Sequence, residues 1–440
     1  MDANIVNLSD TVDLAAVMTC NEVFNPNRPD TLRELIQSRR WIMSKRENVI
    51  IFGGQLFNKG AQAMTFITVD EISKRFPKYK IYLLSTGDYK RDVDDKGQYK
   101  FSILPFPRFR ILFLAVASKR LRFLKAFAAD ELDKTVIDVI HNAKYVLDIS
   151  GYSLGDDWGC DASIGYCLRV KYAHKCGAKV YLMPQSFGPF DYKGKQATKA
   201  LKQIKKCLPH AELIMAREEE GYLSLKRMFN LKNVIKTNDM VLQNKGIDLS
   251  NVYTVVPNYA PPQITTDSVA IIPNSKTFKF GDESEQFLIY DEIVLALKNN
   301  GKSVYFLSHS SEDHDISVKL FERYKQDYNE CYLMDKEFSC IEFDRIVSKF
   351  NFIIASRYHS IVHSYRNSVP AIVLGWAIKY KELMELFDQN DYQFNVRDTV
   401  DLKSLVTTLD KMCARYKEES LVIKNRLYSI QNENVFDLII

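Results

Sequence analysis

Along this chain, short unbroken apolar runs rich in β-branched residues alternate with longer stretches whose apolar positions recur at helical spacing. NVIIFGG (48–54) is followed by AQAMTFITVDEISKRF, an amphipathic pattern, and then by KIYLLS (80–85). YVLDIS (145–150) precedes the stretch from Asp157 to Cys176, KVYLMPQS (179–186) leads to KGKQATKALKQIKKCL, and ELIMARE (212–218) to GYLSLKRMF. Continuous apolar strands followed by amphipathic helices predict parallel sheets covered on both faces. One doubly wound domain with right-handed crossovers is expected over 48–246.

The segment IDLSNVYTVVPNYAPPQITTDS (247–268) breaks this rhythm with three prolines and reads as a linker. The alternation restarts in VAIIPN (269–274), SVYFLS (303–308), FIIAS (352–356) and AIVLG (371–375), which predicts a second, smaller domain over 269–400. Residues 401–440 are helical in pattern, and 1–47 form a polar N-terminal extension. The expected architecture is α/β and GT-B-like: two Rossmann-like domains, their parallel sheets facing across a cleft, plus C-terminal helices.

Composition adds limits. With 46% hydrophobic and 26% charged residues, the chain is an ordinary globular one and disorder is not expected. Sixty basic against 55 acidic residues leave a formal charge of +5, too small an excess to argue for nucleic acid. The eight cysteines include no CxxC pair, so reduced thiols and no metal site are expected. The N-terminus carries three aspartates and lacks a basic region before an apolar core, unlike a signal peptide. No apolar run approaches the ~20 residues that span a bilayer. These features place the protein in the cytoplasm, or peripheral to the inner face of the membrane. Nothing in the sequence fixes an oligomeric state.

In open parallel sheets, ligands bind beyond the carboxyl ends of the strands. Residues directly after the apolar runs are Gly53-Gly54-Gln55 with Asn58, Lys59 and Gly60; Ser150-Gly151-Tyr152 with Asp156 and Asp157; Gln185-Ser186; Arg217-Glu218; Asn274-Ser275; His309; and Arg357 with His359. Arg357 and His359 follow FIIAS where a helix begins, with Ser360 able to cap it. Free N–H groups and the helix dipole favour an anion there. Arg357 adds a planar fork for carboxylate or phosphate, and His359 a group that exchanges a proton near neutral pH. Arg217 offers a matching fork from the first domain, and the alternative is a local ion pair with a helix-capping histidine.

These stretches carry a family likeness. SRYHSIVHSYRNSVPAIVLGWAIKY, NVIIFGGQLFNKGAQAM, DISGYSLGDD, YLMPQSFGPF and LIMAREEEGY resemble, in order, motifs of the polysaccharide pyruvyl transferase family over about residues 48 to 390. The resemblance implies transfer of a pyruvyl group from phosphoenolpyruvate to a sugar of a cell-surface polysaccharide or its lipid-linked precursor. It also implies donor contacts at Arg217, Arg357 and His359, and no cofactor besides the donor substrate. The sequence departs from many members in having Tyr152 where they carry a third glycine.

Beside that reading, the residues themselves suggest roles. Ser360 and Lys379 would add to the donor site, with His359 binding phosphate and donating a proton. Asp156 or Asp157 would deprotonate the sugar, or else cap a helix. Asn58 and Gly60 form either a ligand-approaching turn or a purely structural one. Gln185 lines the cleft or packs within a loop. Tyr152 and Trp376 belong to the acceptor side, with Trp376 on a sugar face or in the core. The basic, aromatic segment at 105–127 either contacts an anionic membrane or is a helix with a solvated basic face. The rival activities are a GT-B glycosyltransferase using a nucleotide-sugar donor and a catalytically silent glycan-binding protein.

Overall fold

The computed structural model describes residues 46–106, 131–260, 262–279 and 283–440. The extension expected over 1–47 lies outside them up to residue 45, and the basic segment at 105–127 lies outside them from residue 107 on.

Eight strands form the first sheet: β1 (Asn48–Phe52), β2 (Lys80–Ser85), β3 (Ser102–Pro105), β4 (Ala143–Asp148), β5 (Tyr152–Leu154), β6 (Lys179–Phe187), β7 (Leu213–Ala216) and β8 (Val234–Lys236). Their order is β3-β2-β1-β4-β6-β7-β8, with β5 pairing to the end of β6. A second sheet holds β9 (Ser268–Ile272), β10 (Ser303–Leu307), β11 (Cys331–Met334), β12 (Phe352–Ala355), β13 (Ala371–Gly375) and β14 (Gln393–Asn395), in the order β11-β10-β9-β12-β13-β14. All pairings within both sheets are parallel. The central apolar runs become strands because both of their faces are covered; β1, β9, β10, β12 and β13 are buried at every position.

In each sheet the chain reverses its direction of winding once, between β1 and β4 in the first and between β9 and β12 in the second. Loops leaving the two sides of such a point diverge and open a crevice at the carboxyl ends. The crevice of the first sheet is tight. Gly53 has φ +75°, and a Cβ there would lie 2.1 Å from Ser150 Oγ and 2.6 Å from its Cα. The loops after β1 and β4 can touch only because this position has no side chain.

The helix after β1, α1 (Lys59–Arg75), departs from the expected amphipathic pattern. Apart from Ala61, every residue from Lys59 to Ile72 is buried. The reason is its position between the first sheet and the second domain: Gln62 Oε1 accepts the Cys340 amide at 2.6 Å across that boundary. Its polar residues are satisfied internally. Thr65 and Thr68 donate to the carbonyls of Ala61 and Met64, and Asp70 pairs with Lys74 and accepts from the Asp248 amide and Asn251. One apolar core runs from Val49 and Ile51 of β1 through Phe66 and Ile67 into the second sheet. Ile50 and Phe52 face a separate core on the other side.

Three further helices matter for the site: α2 (Gly159–Lys175), α3 (Tyr358–Arg366) and α4 (Leu402–Ile430). After α4 the chain returns to the first domain, where Asn434 donates to Glu71 and Lys179 donates to the Ile440 carbonyl. The described cysteines form no disulfide, and no described helix is long and apolar enough to cross a membrane.

The burial of α1 on all sides is testable at Thr68. A surface helix accepts Glu at a polar position, but Thr68→Glu here would bury an unpaired carboxylate and is expected to cost about 4 kcal/mol or more. Denaturant unfolding measures the loss; a change within about 0.5 kcal/mol would place Thr68 on a solvated face.

Candidate active site

Both switch points open toward one cavity of about 340 Å³. Its walls are built from strand ends: Gly53 and Gly54 after β1, Ser150 to Ser153 after β4, Arg217 after β7, Tyr358 and His359 after β12, and Lys379 after β13. Five expected site residues therefore meet here: Asn58, Tyr152, Arg217, His359 and Lys379.

Arg217 is almost fully enclosed and fixed. Its Nε donates to Glu218 and Ser186 (2.8 and 3.1 Å), Nη1 to Asp239 (2.8 Å) and Nη2 to Ser186 (2.9 Å), and its guanidinium lies 4.3 Å from the Tyr358 ring centroid. A guanidinium has five N–H groups, so one on each terminal nitrogen is left for a ligand. Lys379 differs. Its ammonium is surrounded by the rings of Tyr358, Tyr152 and Tyr380 at 5.5, 5.6 and 5.7 Å, and no described carboxylate pairs with it. Burial, and then the charge of Arg217, pull its pKa down to about 8. The aromatic faces offset part of the cost of enclosing this charge.

His359 Nε2 stands 3.8 Å from Asp239 Oδ2. Burial, followed by the charges of Arg217, His363 and Lys379, holds its pKa well below the usual histidine value, so the ring is neutral. Gly60 packs directly on this ring, since a Cβ at position 60 would fall 2.2 Å from His359 Cγ. Asn58 caps α1 by accepting the amides of Gly60 and Ala61, and bridges to Ser310 of the second domain. The turn is structural and still lines the cavity.

Other expected residues sit elsewhere. Arg357 is absent from the cavity wall; its Nε and Nη2 form a bidentate pair with Asp313 (2.7 and 2.6 Å), and Nη2 also reaches Glu312. The local ion pair thus describes Arg357 as the structure places it. Ser360 does not cap α3, because the helix starts two residues earlier with Arg357 at the N-cap position; the Ser360 hydroxyl is buried without a partner. Gln185 is enclosed, bonded to Tyr166 and to the carbonyls of Asp148 and Met183. Asp156 accepts the Asp191 amide and Asp157 the Tyr152 hydroxyl; neither caps α2 nor lines the cavity. Trp376 is half-buried against Tyr380, whose hydroxyl donates to the Ser356 carbonyl from within the core.

The sequence reading named Lys59 without giving it a role and passed over Asp239, Asp313, Trp158 and Arg169. Asp239 and Asp313 hold the two arginines, and both follow strand ends, β8 and β10, where the same inspection would have found them. Lys59 is buried at the first turn of α1, and burial lowers its pKa. Trp158, shortly beyond β5, and Arg169, within α2, also line the cavity.

Comparison with known structures defines the class first. The Anabaena protein HepE in complex with UDP and glucose superposes with a TM-score of 0.51 at 9% identity, over 90% of this chain and 97% of that one. UDP-GlcNAc 2-epimerase from Methanocaldococcus jannaschii gives 0.52 at 12% identity, over 87% and 99%. At such identities the likeness is one of fold: a GT-B-like pair of domains. The sequence model of the family described as polysaccharide pyruvyl transferase matches residues 58–377, more than half of the chain. The chain belongs to that family. Comparison with curated protein sequences gives no match.

The contact of Gly60 with His359 sets a prediction. Gly60→Ala forces the imidazole or the start of α1 to move, and overpacking of this kind costs about 1–3 kcal/mol. A melting temperature equal to that of the unaltered protein would show that this seam is looser than described.

Proposed function

We propose that the protein moves the pyruvyl group of phosphoenolpyruvate onto two hydroxyls of one sugar in a glycan, forming a cyclic ketal and releasing phosphate. The observation that carries this reading is a cavity at the switch points holding an ammonium that no described carboxylate pairs, Lys379, beside a fixed guanidinium, Arg217. Membership of the pyruvyl transferase family supports it.

In the reaction the donor's methylene carbon takes a proton and becomes a methyl group. Positive character develops at C2, and a sugar hydroxyl adds there, losing its proton. The C2–O bond to phosphate then breaks, and a second hydroxyl adds in its place. Of the two hydroxyl protons released, one balances the proton taken by the methylene carbon and the other leaves with phosphate. Fixed donors at Arg217 and at the N-terminus of α3 hold the donor's anionic groups. His359 is neutral and contributes an N–H. The proton for carbon is assigned to Lys379, whose pKa of about 8 lies close to the working pH. The Asp157–Tyr152 pair orients the acceptor side of the cavity.

Two measurements test this. Phosphate release from phosphoenolpyruvate should appear only with a glycan acceptor present, and Lys379→Met should lower kcat/KM for phosphoenolpyruvate by about 100-fold or more, with Lys379→Arg restoring binding but not turnover. Tight binding of a nucleotide sugar with no effect of phosphoenolpyruvate would instead establish the glycosyltransferase reading. The pH profile follows from the sign of the shift. The active form is protonated, so kcat/KM for phosphoenolpyruvate should hold below pH 8 and fall as pH rises through about 8. A profile that rises across that range would assign the proton to another group.

A further inference from the structure

One cation of the cavity is unused by the proposed chemistry. Arg169, on α2, lines the cavity from the first domain. Its guanidinium is held between two rings, 4.8 Å from the centroid of Phe106 and 4.9 Å from that of Tyr166. Its Nε is buried with no hydrogen-bond partner, and no described carboxylate forms an ion pair with it. Asp148, on which the Arg169 charge acts, is fully enclosed, and burial outweighs that charge and pushes its carboxyl upward toward the neutral form. Stacking fixes a guanidinium in plane while leaving its N–H edge available.

Position separates Arg169 from the donor. Phe106 packs on Phe52 at the end of β1, with ring centroids 5.1 Å apart, whereas Arg217 follows β7. The strands β1, β4, β6 and β7 are consecutive neighbours, so Phe52 and Arg217 leave the sheet three steps of roughly 4.8 Å apart, on the order of 14 Å, while the second ring on Arg169, Tyr166, reaches Gln185 on β6. A three-carbon enol phosphate spans four or five bonds, roughly 6 Å. Beside Arg169, Trp158 lines the same cavity while remaining 50% exposed, its ring 5.8 Å from that of Tyr152. An exposed indole at a cavity mouth is a platform for a sugar face.

We propose that Arg169 and Trp158 form the acceptor subsite, and that the acceptor is anionic: a carboxylate or phosphate adjoining the sugar that is modified is held by Arg169 while a neighbouring ring stacks on Trp158. This rests on the pyruvyl transfer reading for turnover but not for binding.

The experiment uses the full chain with phosphoenolpyruvate and acceptors that keep the modified hexose neutral. These are hexoses linked to glucose, the same hexoses linked to glucuronic acid, and hexose 1-phosphates, each in gluco, galacto and manno forms. A charge-assisted bond of the expected strength lowers KM by about tenfold or more for an anionic acceptor over its neutral counterpart. Arg169→Met should erase that gap with the KM for phosphoenolpyruvate unchanged, Arg169→Lys should restore part of it, and Trp158→Ala should raise KM for every acceptor. The glucuronide and phosphate arms tell which anion is recognised. Equal KM values for neutral and anionic acceptors, or a raised KM for phosphoenolpyruvate in Arg169→Met, would overturn the proposal. Should Arg169→Met fail to fold, the preference of the unaltered protein and the Trp158→Ala series decide. If no acceptor turns over, the pyruvyl transfer reading fails by itself. Calorimetric binding of the glucuronyl disaccharide, weakened in Arg169→Lys, would then still support the subsite, and absence of binding would end it.

Discussion

The site depends on one close approach, that of α1 to the first turn of α3. Gly60 and His359 touch where no Cβ fits, Asn58 bridges to Ser310, and Gln62 accepts the Cys340 amide. Each of these contacts joins the first turn of a first-domain helix to a loop or helix start of the second. The first turn of α1 follows the loop that leaves β1, and α3 leaves β12, so the seam registers the two switch points on each other. The core then seals it: because α1 is buried on nearly every side, the two sheets share apolar contacts through Phe66 and Ile67. Moving the domains apart would expose that helix to water.

Electrostatics divides the basic groups into two kinds. Arg217 is held by Glu218 and Asp239, and Arg357 by Asp313 and Glu312. Removing an arginine from water is costly, and paired carboxylates in good geometry offset the cost while fixing the side chain. Such an arginine gives direction more than net charge, since two acids cancel it. Lys379 and Arg169 carry charge without a paired acid among the described residues, and aromatic rings lie close to both. The net positive charge of the cavity wall therefore comes from these two, while Arg217 is fixed in direction by its acids. Burial, and then the charges of Arg217, His363 and Lys379, keep His359 neutral, which is why its proximity to Asp239 does not make it a charged acid.

The strands that the apolar pattern displayed are the central ones, and the ones it hid are β3, β5, β8, β11 and β14. These have only three or four residues and lie at sheet edges or off the main path, too short for any periodicity. Strand ends led to Arg217 and His359, which line the cavity because it sits where the sheets place it; Lys379, named apart from that rule, lines it as well. The rule also pointed to Arg357, and could not distinguish a fork turned to a ligand from one turned to Asp313, forty-four positions earlier in the chain. Gln185 looked like a cleft residue by the same rule, but an irregularity in the pairing of β6 with β7 turns it inward. Arg169 was invisible because its signal, one cation in an apolar helix face, is the ordinary appearance of a snorkelling surface arginine.

A shared fold with UDP-binding proteins does not carry their chemistry, and here the second domain supplies a physical reason. A nucleotide-sugar donor would need room beyond the ends of β9 and β10. Those ends are already engaged with their own neighbours: Asn274 donates to the Ser356 carbonyl, the Ser275 amide donates to Asp313, and His309 is buried against Phe343 and His363. Asp313 thereby serves two purposes, bracing the β9 loop and holding Arg357. Opening that corner for a base and ribose would break the pair and strand a buried carboxylate, a loss of several kcal/mol on the order of 3–5. The cavity that does exist takes only Tyr358, His359 and Lys379 from the second domain and the rest of its wall from the first. Its wall is thus largely the work of the first sheet's strand ends, closed on one side by three residues of the second domain.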